Sequence, residues 1–246
     1  MFGMVEIPRF EELDYQKTPI GDLILRKRTV LSLGNREIYE IILGNAFLMS
    51  SMFTVVEQEL SRLGLNAVRK SFPAEKLDVI VGGLGLGYTA RAALEFDEVG
   101  SLGIVEYLAP VIEWHEKEMV PLGEGLNRDP RCRFIHGDFF ELSLQGRYEE
   151  GREDYHAILL DIDHSPAHLL TADNGEFYAT EGLRRFSSLI KAGGLFGLWS
   201  DDPPEEQFLA SLGEVFETVE SHVVPFHNPI QDEDFESTVY LATKGR

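Results

Sequence analysis

An apolar run, Leu77-Asp78-Val79-Ile80-Val81, passes straight into Gly82-Gly83-Leu84-Gly85-Leu86-Gly87, and Glu106 closes a second apolar run nineteen residues beyond Gly87. A buried strand entering a glycine-rich turn, a helix leaving it and a carboxylate at the end of the next strand together make a site for a nucleoside cofactor. Gly83, Gly85 and Gly87 let the backbone come close to the ligand because no Cβ intervenes. Glu106 can accept hydrogen bonds from both ribose hydroxyls. The spacing is G-x-G-x-G, and Tyr88 stands where the dinucleotide pattern has its third glycine. That difference favours an S-adenosylmethionine-type ligand over NAD.

Ligands of open α/β sheets bind beyond the carboxyl ends of the strands, so the acids found there are the next candidates. Asp138 follows a strand in His136-Gly137-Asp138-Phe139, and two readings stand: helix N-cap or contact to the adenine side of a nucleoside. Asp161 and Asp163 close Leu159-Leu160-Asp161-Ile162-Asp163. Asp201 and Asp202 follow Trp199-Ser200 and read as caps or solvated loop. Asp161 differs from the rest because a buried strand, Ala157-Ile158-Leu159-Leu160, delivers it to the crevice. A carboxylate there can hold a cationic amine or take its proton, as attack on carbon requires of an amine whose pKa is about 10. Asp163 is placed to orient such an acceptor. His164 and His168 lie nearby, but no histidine spacing indicates a metal. Neither Ser165 nor Ser200 sits in a G-x-S-x-G elbow.

The elements that must position these residues alternate from Leu77 onward. Strands are predicted near 77–82, 101–106, 132–136, 156–162, 194–199, 215–224 and 235–243, with helices near 88–96, 109–118, 175–191 and 204–212 and a loop over 121–130. Such alternation predicts a Rossmann-like, doubly wound, mostly parallel sheet, with the last two strands as an antiparallel pair at its edge. Before it, short alternating runs at 15–18, 22–26, 29–33 and 37–43 predict a small antiparallel β unit. Apolar spacing over 48–63 predicts a helix. The expected division is an N-terminal β unit over 1–47 and a nucleoside-binding domain over 48–246.

The formal net charge of −20 argues against a nucleic-acid partner and suits cationic small molecules. One cysteine, Cys132, excludes an internal disulfide and a cysteine-rich metal site. Met1 to Glu6 has no basic region leading into an apolar run, and no stretch approaches the ~18 apolar residues of a membrane span. A cytoplasmic protein without membrane contact is expected.

The order of motifs resembles the spermidine synthase family of polyamine aminopropyltransferases, which share the class I methyltransferase fold. The likeness runs from Tyr15-Gln16-Lys17 through the glycine loop, Val105-Glu106, Asp129-Pro130-Arg131, His136-Gly137-Asp138, Leu160-Asp161-Ile162-Asp163-His164-Ser165-Pro166 and Glu176-Phe177-Tyr178 to Leu189-Ile190-Lys191-Ala192-Gly193-Gly194. It implies Glu106 as ribose ligand, Asp138 as adenine-side contact and Asp161 as the acid-base residue of aminopropyl transfer. The donor would be decarboxylated S-adenosylmethionine, the acceptor a small polyamine and the assembly a homodimer built through the β unit. Three positions differ from the family's pattern. Leu84 stands at or beside the aspartate that grips the donor's aminopropyl nitrogen. Met49-Ser50-Ser51-Met52-Phe53 lacks the tyrosine-polar pair that meets the polyamine, and Asp161-Ile162-Asp163 is shorter than D-x-x-D. Leu84 keeps open a methyltransferase using intact S-adenosylmethionine, and the apolar Met52-Phe53 region a non-catalytic nucleoside-binding homologue.

Overall fold

The structure, a computed structural model, describes residues 10–152 and 154–246. The stretch Met1 to Glu6, where no leader is expected, lies outside them. Four antiparallel strands come first, β1 (Phe10–Thr18), β2 (Gly21–Val30), β3 (Arg36–Leu43) and β4 (Ala46–Ser50), paired in chain order. Alternation buries Leu23 and Leu25 of β2 with Ile41 of β3 on the face turned to the rest of the molecule. Glu40, 2% exposed, accepts from Arg26 Nε at 2.6 Å and Arg28 Nε at 2.8 Å across the β2–β3 pair, so its buried charge has two partners. The run expected as a strand over 29–33 is split: Thr29 and Val30 finish β2, and Leu31–Leu33 is a short 3-10 turn.

Helix α1 occupies Val55–Val68 rather than 48–63. The apolar residues over 46–50 pair with β3 as β4, because a waiting strand edge outweighs helical spacing in so short a run. The chain then continues through β5 (Leu77–Gly82), α2 (Tyr88–Ala93), β6 (Val99–Glu106), α3 (Ala109–Glu116), α4 (Gly123–Arg128), β7 (Cys132–His136), α5 (Phe139–Gln145) and β8 (Tyr155–Leu160). It ends with α6 (Gly175–Tyr178), α7 (Thr180–Ser187), β9 (Ile190–Ser200), α8 (Glu206–Gly213), β10 (Thr218–Asn228) and β11 (Glu233–Thr243). The loop expected over 121–130 thus holds α4. The single helix expected over 175–191 is broken by extended Ala179, and its end belongs to β9.

These strands make one seven-stranded sheet in the order β10-β11-β9-β8-β5-β6-β7, parallel from β9 to β7, with β11 antiparallel to both β9 and β10. Pro225 is accommodated because β10 is an edge strand, where a missing N–H leaves no neighbour unpaired. Alternate residues of β5 serve opposite faces: Leu77, Val79 and Val81 pack with α1 and α2, and Ile80 packs with the aromatic layer of Phe139, Phe177, Phe186 and Phe196. The chain leaves β5 toward β6 and β7, then returns to β8 on the other side. That reversal opens a crevice at the carboxyl ends of β5 and β8, where the Asp161 N–H donates to Gly82 O at 2.8 Å.

Candidate functional site

The glycine loop is held open by its own conformation. Gly83, Gly85 and Gly87 have φ of 96°, 47° and 89°, a region L side chains avoid. A Cβ on Gly83 would also collide with the carbonyl oxygen of Asp161, and one on Gly85 with Met49 Sδ. Met49, from β4, also accepts the Leu86 N–H on its sulfur at 2.9 Å. His115 of α3 lies 2.9 Å from Gly85 O through Nε2. The carbonyl can only accept, so that nitrogen carries the hydrogen, and Nδ1 is left buried without a partner. Burial holds this ring neutral, its pKa lowered to about 4, with the Gly85 bond opposing.

Glu106 lies beside the loop as its spacing predicts. Its Oε2 accepts the Leu84 N–H at 3.0 Å and its Oε1 the Leu108 N–H at 2.8 Å. Burial raises its pKa against these backbone donors. Each carboxylate oxygen keeps further acceptor capacity, since a carboxylate offers about four acceptor sites. Asp138 caps α5 through Oδ1, which accepts from Phe140 N at 2.8 Å and Glu141 N at 3.2 Å. It also lines the cavity. Cap and lining roles are therefore compatible, because both bonds fall on one oxygen.

Asp161 enters the same cavity from the end of β8, and Thr89 Oγ1 donates to its Oδ2 at 2.5 Å. Asp163 does not join it. Its carboxylate is 1% exposed and occupied by the Leu170 N–H at 2.7 Å, Asn174 Nδ2 at 2.9 and 3.0 Å, and the Tyr178 hydroxyl at 2.8 Å. It pins the segment between β8 and α6 and is absent from the cavity wall. Ser165, His168 and Asp202 also meet, but serine and aspartate both contact Nδ1, at 3.3 and 2.7 Å, so the ring cannot pass a proton between them.

The cavity has a volume of about 780 Å³. Its described wall carries eight carboxylates, Glu57, Glu106, Asp138, Glu141, Asp161, Asp173, Glu176 and Asp201, with no lysine or arginine. Glu57, on the first turn of α1, is the residue the sequence reading missed. Burial raises its pKa to about 8, aided by the charges of Asp161 and then Asp201. Burial also raises Asp161, to about 6, with the Thr89 hydroxyl opposing. The two acids therefore titrate as a pair in two steps. Between those steps they hold one proton and one negative charge. The only hint of this in the sequence is an acid amid the apolar residues of α1.

No family model and no curated protein matches the sequence. The fold has solved counterparts. A spermidine synthase in complex with the transition state analogue AdoDATO superposes with a TM-score of 0.72 at 15% identity, over 95% of this chain and 74% of that one. Spermidine synthase from Thermotoga maritima gives 0.71 at 15% identity, over 95% and 73%. A probable spermidine synthase from Corynebacterium glutamicum gives 0.61 at 14% identity, over 96% and 81%. From the N-terminal antiparallel sheet to the β10–β11 hairpin, the chain has the spermidine synthase-like form of the methyltransferase fold.

Proposed function

We propose that the chain is a transferase of the aminopropyltransferase type, which moves an aminopropyl group from decarboxylated S-adenosylmethionine to a small amine. The observation that carries this reading is one cavity whose wall includes the glycine loop, Glu106, Asp161 and Glu57. In this reading Glu106 accepts the ribose hydroxyls, Gly83 and Gly85 admit the nucleoside, Gly87, outside the cavity wall, turns the chain into α2, and Asp138 turns its free oxygen to the adenine amine. Asp161 holds the acceptor and takes its proton. The amine lone pair attacks the carbon next to the sulfonium, the C–S bond breaks with its electrons going to sulfur, and methylthioadenosine leaves as a neutral thioether. A wall of carboxylates without cations favours a donor lacking the carboxylate of intact S-adenosylmethionine. Methyl transfer is the second reading. Its support is Leu84, a hydrocarbon in the loop where a donor's ammonium would want an acid.

Titration calorimetry tests the proposal. Methylthioadenosine and the decarboxylated donor are expected to bind, the latter more tightly than S-adenosylmethionine. Tighter binding of S-adenosylmethionine would favour the methyl reading, and no heat with any of the three would remove the nucleoside site. Replacing Glu106 by Gln removes a charged acceptor and should weaken methylthioadenosine by about 1.5–3 kcal/mol. A homodimer through the N-terminal sheet belongs to the same proposal, as the resemblance to spermidine synthases implies. A monomer mass by light scattering at micromolar concentration would exclude it.

A further inference from the structure

The two polar groups of the peptide that joins Gly85 to Leu86 are both taken by side chains from outside the loop. Its carbonyl accepts from His115 Nε2 at 2.9 Å, and its N–H donates to Met49 Sδ at 2.9 Å. The first partner comes from α3, the second from β4 of the N-terminal sheet. Leu86 has no exposed surface, so its N–H would find no water in place of the thioether. A flip of this peptide would turn its oxygen toward the sulfur, acceptor against acceptor, and its N–H toward the N–H of His115, donor against donor. Without the sulfur, half of that barrier is gone.

A bulge aims Met49 at the loop. β4 is an edge strand of its sheet, and its register against β3 pairs Ile42 with Phe47, Ile41 with Met49 and Glu40 with Ser50, which leaves Leu48 without an opposite residue. In an unbroken ladder Leu48 would stand opposite Ile41, and Met49 opposite Glu40. Opposite residues share a face, so the extra residue turns Met49 to the face of Leu25 and Ile41, which packs on the rest of the molecule. Bulges beside binding sites re-aim side chains in this way. The sulfur then packs so closely over Gly85 that a Cβ there would collide with it. Methionine fills such a space with an unbranched chain and still offers a weak acceptor.

We infer that Met49 is a positioning residue for nucleoside binding, which holds the Gly85–Leu86 peptide in its ligand-admitting orientation before any ligand arrives and makes the N-terminal sheet part of the donor site. The Leu84 N–H, one residue earlier, donates to Glu106. A turn of the Gly85–Leu86 peptide would therefore also disturb the carboxylate assigned to the ribose. A loop ordered beforehand loses less conformational freedom when the ligand binds. Met49 shares the cavity wall with Leu84 and Gly85, but it acts here through the loop and needs no contact with the ligand. The inference rests on the nucleoside site of the proposed function and is independent of the acceptor.

The test compares the unaltered chain with Met49→Leu, which keeps a similar hydrocarbon volume and removes the acceptor. Amide hydrogen exchange of the ligand-free protein, read by NMR, reports on the Leu86 N–H itself, with Val81 of β5 as internal reference. Methylthioadenosine affinity is read by titration calorimetry. The Leu86 amide of the unaltered chain should be protected without ligand. In Met49→Leu it should exchange at least tenfold faster while Val81 is unchanged, and methylthioadenosine should bind at least tenfold more weakly. An unprotected Leu86 amide in the unaltered chain would overturn the inference with no variant needed. A smaller change in either quantity would overturn it too, as would an equal rise at Val81, which would make Met49 a packing residue only. No methylthioadenosine binding by the unaltered chain would defeat the nucleoside reading and this inference together. Binding that Met49→Leu leaves intact would defeat this inference alone.

Discussion

Asp161 and Thr89 set the conditions under which the site can remove a proton. The Thr89 hydroxyl stabilises the ionised form of Asp161 and partly offsets the burial that raises its pKa to about 6. As a base Asp161 works only when ionised, so turnover is expected to rise with pH through about 6. Thr89→Val removes the donor and should move that acid limb to higher pH, read from initial rates across the pH range. Asp161→Asn keeps the size and removes the base. Turnover should fall by ~10²–10⁴-fold while methylthioadenosine affinity is unchanged. Unaltered turnover with any accepted amine would end the assignment. The same scale explains why Asp163, expected from the sequence to orient the acceptor, differs from Asp161: three donors making four hydrogen bonds already satisfy it.

Elements supply the precision that single residues cannot. The turn between β5 and α2 touches β4 through Met49, α3 through His115 and the end of β8 through Asp161. Gly83→Ala places a Cβ against the Asp161 carbonyl at a φ of 96°, which should cost at least about 2 kcal/mol. For a chain of this size that corresponds to a melting temperature lower by ~4–8 °C. The variant should also lose methylthioadenosine binding in the same calorimetric titration, since Gly83 is bound to the geometry of both the loop and Asp161. An unchanged melting temperature would show that the loop tolerates the side chain. At the same scale, α1 delivers Glu57 only because the preceding apolar residues pair as β4 and shift the helix start to Val55.

Over the whole molecule, the buried acids make stability depend on pH in a definite direction. Glu57 and Asp161 have folded pKa values above those of free carboxylates, at about 8 and about 6. The folded chain therefore keeps protons that the unfolded chain has released, and this contribution is full below the ordinary values of 3.8 and 4.5 and lost as pH rises from there through the folded values. Thermal melts of the ligand-free protein should show falling stability from about pH 5 to about pH 8. Glu57→Gln should flatten that decline, and an unchanged slope would refute the Glu57–Asp161 pair as its origin. His115 acts in the opposite sense. Its lowered pKa of about 4 means that stability is lost as pH falls from its ordinary value of 6.5 toward 4. Cys132 plays no part in either limb, as burial raises its thiol to about 12, and it should resist alkylation at pH 8 in the folded protein.

What the sequence by itself determined are the features that depend on neighbouring residues. The strand, glycine turn and helix around Gly83 to Gly87 follow from backbone conformations that glycine adopts most readily. The placing of Glu106 follows from the length of one helix and one strand, and that of Asp161 from the apolar run that carries it. The doubly wound sheet follows from alternating periods of apolar residues. Tertiary structure alone decided which acids share a space. Glu57 and Asp161 lie on α1 and after β8, and only the crossing of α1 over the sheet brings them into one cavity. Asp163 leaves that cavity because Asn174 and Tyr178 fold back over it. Phe53, just before α1, meets Phe226 of a hairpin at the far end of the chain. Local backbone preference can be read along a chain, whereas burial and charge coupling arise between distant segments and exist only after packing has chosen their neighbours.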